Sequence, residues 1–211
     1  MASALINGLL QQGYLAKQLH VVEINAESRE KIKDIFGVSA LADLESGVID
    51  TDVIVLSVKP QHLHDLTQQL SPFLKRQLII SIVAGIRVGD IARWLGGYLR
   101  IVRTMPNTPS SIQCGVTGLY AAASVSEEDR KIAESILTAV GLTLWVEDEE
   151  MLHAVTAISG SGPAYVFYFI ESLQKAAAAL GLSSEEAKQL SLQTFVGASK
   201  LASLSDKDIA I

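Results

Sequence analysis

Two short stretches limit what this chain can fold into more than anything else in it: VIVLSV at 53–58 and LIISIV at 78–83. Each is apolar almost without a break, lacking the polar alternation of a half-solvated strand. Such strands belong inside a parallel sheet covered on both faces. Between them Pro60 opens a helical pattern at a position where its missing N–H costs nothing. Upstream, Leu19–Ile24 reads as a strand, and Ala26–Phe36 as a charged amphipathic helix ended by Gly37. Downstream, Leu99–Val102 and Val116–Ala121 continue the strands. Ser126 then caps a helix with acids in its first turn. Gly141 closes that helix, and Thr143–Val146 is a last short strand. This alternation predicts an α/β, doubly wound parallel sheet.

The rhythm changes after the acidic cluster Glu147–Glu150. Apart from the glycine-rich break at Ser159–Pro163, the pattern onward is helical. Ala164–Leu180 is apolar almost all round, which predicts burial within a domain or against another chain. Ser183 and Glu186 form a capping box for a helix running to about Leu204. Two domains follow, 1–147 and 148–211.

Several function classes are excluded by bulk properties. A net charge of −6 lacks the basic surface of a nucleic-acid binder. The longest apolar run, Pro163–Ile170, is too short to span a bilayer. The single cysteine, Cys114, suits a reducing compartment and a cytoplasmic location, and no basic neighbour in sequence activates it as a nucleophile. His62, His64 and His153 follow no metal-ligand spacing, so no metal site is expected.

The front end narrows the fold further. Leu5, Ile6, Leu9 and Leu10 mark one face of a helix that Gly13 terminates, and no strand precedes it. In a dinucleotide-binding fold a strand and a glycine loop lead into the first helix. An acid at the end of the second strand then bonds the adenosine ribose. Glu23 occupies that acidic position. On this reading strand one and its loop are absent.

Three stretches carry more specific information: SVKPQ (57–61), RTMPNTP (103–109) and AVTAISGSGPAY (154–165). In this order and spacing the chain resembles pyrroline-5-carboxylate reductases, which make L-proline in the last step of its biosynthesis. The resemblance implies a Rossmann-like dinucleotide-binding domain followed by an all-helical dimerisation domain. It also implies that the chain is incomplete at both ends. Met1-Ala2 matches the last two residues of the family's G-x-G-x-M-A loop, and the family's serine-proline-glycine-glycine-threonine loop lies beyond Ile211.

The family's site residues carry over as expectations. The cofactor, NADP or NAD, would meet Met1, Ala2, Glu23, Ser57, Val58, Lys59, Pro60, Ile82, Val83, Ala84 and Asn107. Asn107, Thr108 and Ser161 would act where nicotinamide meets substrate, and Glu149, Ser159, Gly160 and Ser161 would hold the substrate, Glu149 at its nitrogen. Glu23 favours an unphosphorylated ribose, while the stretch Ala42–Glu45 lacks the asparagine that many members use for a 2′-phosphate, so the preference stays open. The implied reaction is hydride transfer to a cyclic imine by a homodimer or higher homo-oligomer. Two other readings stand beside it: a related reductase of another small imine or keto substrate, and an inactive remnant that only folds and dimerises.

Overall fold

A computed structural model of the chain describes residues 1–205. They divide into two compact units, the first Met1–Gly160 and the second beginning at Ser161. The first unit runs α1 (Ala2–Gln11), β1 (His20–Val22), α2 (Ala26–Phe36), β2 (Ser39–Leu41), α3 (Leu44–Val48), β3 (Val53–Leu56) and α4 (Pro60–Leu70). It continues with β4 (Leu78–Ser81), α5 (Val88–Trp94), β5 (Ile101–Met105), β6 (Gly115–Ala121), α6 (Glu127–Thr138), β7 (Gly141–Trp145) and α7 (Met151–Val155). A π-helical turn, Thr156–Gly160, ends it.

Of the two expected apolar strands, β4 is covered on both faces, whereas β3 lies at the edge of its sheet with only Leu56 fully buried. Leu78, Ile79, Ile80 and Ser81 of β4 are all buried, paired in parallel with β3 on one side and β5 on the other. Helices α1, α4, α5 and α6 cover this sheet through Leu5, Leu9, Leu63, Leu70, Ile91 and Leu137. Gly37 ends α2 as the sequence predicts, in the left-handed region at φ 66°, and the Asn25 side chain caps its start by accepting the Ser28 N–H. The Ser126 side chain accepts the Asp129 N–H at the start of α6.

Three features differ from the expectation of one continuous parallel sheet. First, the strands lie in two sheets: β1 pairs with β2 alone, while the larger sheet has the order β3-β4-β5-β6-β7. In the dinucleotide-binding order a further strand lies between the partners equivalent to β1 and β3. Second, β6 runs antiparallel to β5. The connection between them is a short 3₁₀ turn, Thr108–Ile112, too brief for the crossover a parallel pair requires. Third, Gly141 opens β7 instead of closing α6, which ends at Thr138. A Cβ at Gly141 would meet the Gly115 carbonyl oxygen at 2.0 Å, so the glycine permits the β6–β7 contact. Strand β2 and helix α3 are additional to the sequence reading; both are too short to leave a periodic signal.

The second unit is a helical pair, α8 (Gly162–Ala179) packed on α9 (Ser184–Leu204). The Ser183–Glu186 capping box forms as predicted. Burial of α8 within the chain does not occur: none of its residues is buried, and Tyr165, Phe167, Tyr168 and Phe169 are each at least 60% exposed.

Candidate functional site

Because β3, β4 and β5 are mutually parallel, their carboxyl ends open on one edge. Open α/β sheets bind ligands at that edge. The turn after β3 is Ser57-Val58-Lys59, and Pro60 at the first position of α4 stops the strand there. The turn after β4 starts at Ile82. These residues and Met1, Ala2 and Ser3 line one open cavity of about 350 Å³.

The chemistry of that cavity favours an anion. Helix α1 enters it by its amino end, and no side chain caps that end. The first N–H groups of a helix have no intrahelical acceptor and carry the positive end of its dipole. Lys59 adds an exposed ammonium and makes no ion pair among the described residues. A pyrophosphate fits this donor set.

The other expected cofactor residues are placed unevenly. Pro60 adjoins the cavity in sequence, and Ala84 is exposed in the turn after β4. The Val83 side chain is buried in the core and its N–H is donated to Ser81 Oγ, so it offers a ligand only its carbonyl. Glu23 follows β1 at the carboxyl end of the small sheet. Its Oε1 accepts the Asn25 N–H at 2.8 Å, and Arg29 donates to the Glu23 and Ile24 carbonyls.

At the end of β5, Asn107 is committed to the protein. Its Oδ1 accepts the Val116 N–H at 3.0 Å, and its Nδ2 donates to the Ser159 carbonyl at 3.1 Å. The side chain therefore ties the β5 loop to β6 and to the π-helical turn. Thr108 is exposed at the start of the 3₁₀ turn. Ser159 Oγ donates to the Val155 carbonyl, and Gly160 packs beside the Met105 methyl, where a Cβ would meet it at 3.0 Å. Ser161 begins the second unit, preceding α8, whose second residue is Pro163.

Glu149 is likewise engaged. Its Oε1 accepts from Arg103 Nη1 at 2.8 Å and from the Val88 N–H at 2.8 Å. Both charged side chains are largely buried, Arg103 at 6% and Glu149 at 18% exposure. Glu150 pairs with Arg87 and lies 3.4 Å from His153. Two of the four acids in Glu147–Glu150 thus pair with basic groups, Glu149 largely buried and Glu150 exposed. Arg103 was not singled out by the sequence reading. Its signal is an arginine in the middle of the otherwise uncharged strand segment Ile101–Met105, where burial demands a counter-charge. Among the described residues no group of three or more His, Cys, Asp or Glu side chains could hold a metal ion, and Cys114 is exposed with its thiol unpaired.

Comparison with known proteins identifies relatives across the whole length. Residues 149–210 match the pyrroline-5-carboxylate reductase dimerisation family, and residues 1–85 match the family described as NADP oxidoreductase coenzyme F420-dependent. The chain is 45% identical over 211 residues to the pyrroline-5-carboxylate reductase of Pseudomonas aeruginosa, covering 100% of this chain and 77% of that protein. It is 38% identical to pyrroline-5-carboxylate reductase 2 of Bacillus subtilis, covering 98% of this chain and 75% of the relative. The solved reductase from Coxiella burnetii superposes with a TM-score of 0.93 at 39% identity, covering 98% of this chain and 77% of that one. The Plasmodium falciparum enzyme, solved with NADP bound, gives 0.86 at 31% identity, covering 97% and 76%.

Proposed function

This chain belongs to the pyrroline-5-carboxylate reductase family, and from that membership we propose that it performs the family's reaction, the NAD(P)H-dependent reduction of 1-pyrroline-5-carboxylate to L-proline. The observation that carries the reading is the cavity itself. It joins Met1 and Ala2, Ser57–Lys59 and Ile82 from three separated stretches of chain, each expected at the cofactor.

The cofactor, when bound, supplies a hydride that forms the new C–H bond at the imine carbon as the C=N π pair moves to nitrogen. A protonated imine nitrogen ends as a secondary amine without a further proton donor. The protein's own residues therefore bind and orient. The amide groups at the start of α1 and the Lys59 ammonium hold the pyrophosphate. Glu23 reads the adenosine ribose. Ala84 lets the backbone approach the nicotinamide side, and Thr108 offers a hydroxyl beside it. Ser159, Gly160 and Ser161 are assigned to the substrate, with the Ser159 hydroxyl proton itself held by the Val155 carbonyl. Orientation of this kind supplies up to about 7–11 kcal/mol of barrier reduction. Asn107 contributes by fixing Ser159.

The dimerisation-family match and the exposed apolar faces of the helical pair support a homo-oligomer, and we assign a homodimer or a higher assembly of dimers. Among the described residues no helix is long and apolar enough to cross a membrane. The acidic charge speaks against a nucleic-acid partner, and the one cysteine accords with a cytoplasmic location.

The test is turnover. The purified chain is mixed with the cyclic imine and NADPH or NADH, and loss of the reduced nicotinamide is followed with L-proline formation. Matched consumption and formation are expected. Lys59→Ala should weaken dinucleotide binding about tenfold, as the loss of a charged hydrogen bond would. Dimerisation without dinucleotide binding or turnover would support the inactive-remnant reading instead. Turnover of a different imine without proline formation would point to the related-reductase reading.

A further inference from the structure

We propose that Glu149 is a positioning residue that fixes the spacing of the two loops flanking the nicotinamide; this rests on the reductase reading of the site. One oxygen, Oε1, accepts both the Arg103 guanidinium and the Val88 N–H, each at 2.8 Å. Those two donors come from different loops' anchor points. Val88 is the first residue of α5, where the turn that leaves β4 at Ile82 ends. Arg103 lies in β5, two residues before Met105, where the Pro106–Thr108 turn begins.

A single carboxylate oxygen thus ties the far end of one active-edge loop to the near end of the other. The Glu149 side chain closes a second circuit as well. The segment following it, 150–160, is pinned at its other end by Asn107, whose amide holds the Ser159 carbonyl. Glu149 and Asn107 between them clamp this segment onto β5 at both ends. The Arg87–Glu150 pair, at 2.8 Å, adds a further contact to the same turn before α5.

Burial makes the arrangement obligatory. Arg103 is 6% exposed at its side chain, and Glu149 is its carboxylate partner. An unpaired buried guanidinium is costly, so the carboxylate cannot leave for a substrate nitrogen without exposing that cost. Its second oxygen has no partner among the described residues, yet the first is doubly occupied by the protein.

The experiment compares Glu149→Ala, Glu149→Gln, Arg103→Met and the double variant Glu149→Ala/Arg103→Met with the unsubstituted full chain. Folding is checked by thermal denaturation. The first readout needs no ligand: amide hydrogen exchange at 82–87 and at Met105, Asn107 and Thr108. Glu149→Ala should speed exchange in both loops together, whereas Glu149→Gln, which keeps an acceptor for both donors, should restore most of the protection. The second readout is NADPH binding with no imine present, followed by nicotinamide fluorescence. Glu149→Ala and Arg103→Met should each weaken it by about 10- to 100-fold, the scale of a small misplacement of a reactant. The double variant should be no worse than the poorer single, because one linkage is lost in each. In turnover, kcat should fall more than KM for the imine rises.

The proposal is overturned if exchange changes only within 147–155, or if Glu149→Ala leaves NADPH binding intact while raising KM for the imine. Multiplying single effects would overturn it too. Failure of the unsubstituted chain to bind either NADPH or NADH would sink the reductase reading, and the exchange measurement would still decide the role of Glu149.

Discussion

Among single residues, Asp129 shows how a buried charge in this protein is held. Its side chain is 5% exposed and accepts two hydrogen bonds from the Arg100 guanidinium, with Ser126 also bonded to it across the α6 cap. The arginine hydrogen bonds hold its carboxyl below the ordinary range, against burial, which pushes it up. A carboxyl lowered in the folded state contributes stability that is present above its unfolded pKa of about 3.9 and is lost as pH falls through the folded one. Arg100→Met should therefore destabilise the protein by about 2 kcal/mol at pH 7, the scale of a charged hydrogen bond. Urea denaturation at pH 7 and pH 3 checks this: the difference between variant and parent should shrink at the lower pH. An equal difference at both would separate the stability from this ion pair. Other residues were only partly legible. Lys59 and Glu23 could be placed from their position after a strand. Asn107 could be singled out, but not the fact that both ends of its amide are used by Val116 and Ser159.

For whole elements, the decisive contact is β6 against β7. The two strands pair in parallel from Gly115↔Gly141 to Leu119↔Trp145. They approach closely at their start, where Gly141 has φ 144° and faces the Gly115 backbone. Gly115 is itself crowded, since a Cβ there would lie 2.2 Å from Ser110 Oγ. Gly141→Ala should thus destabilise by about 3 kcal/mol or more, combining overpacking with a disfavoured backbone conformation. A lowered denaturation midpoint with reduced protection of 115–119 and 141–145 is the expected result. Full stability would show that β7 can shift without loss. In the sequence alone Gly141 has the pattern of a helix terminator, because a glycine after an amphipathic run is a common stop signal. Distinguishing that role from a strand-opening glycine requires knowing that Gly115, far away in sequence, lies opposite.

Over the whole molecule, the unsolved problem for a lone chain is the apolar surface of the helical unit. Tyr165, Phe167, Tyr168 and Phe169 are exposed in a single helix, and Leu190, Val196 and Leu201 are exposed in the next. Contiguous apolar surface on a folded protein marks an interaction site, and the dimerisation-family match over 149–210 identifies the kind of partner as a second copy. Phe169→Asp should shift the chain toward monomer in sedimentation or light scattering while leaving the first unit's core signals unchanged. An unaltered mass would place the interface elsewhere. What the sequence by itself determined was everything decided by near neighbours. The strands 53–56 and 78–81 as strands, the buried character of the second, the Asn25 and Ser126 caps, the Ser183–Glu186 box and the apolar character of α8 all depend on residues a few positions apart. Only the tertiary structure decided the reversed direction of β6, the split into two sheets, and the pairing of Glu149 with residues 46 and 61 positions away. The physical reason is chain connectivity: local preferences act within a turn or two of backbone, whereas a carboxylate's partner and a strand's direction depend on which distant segments the fold carries alongside.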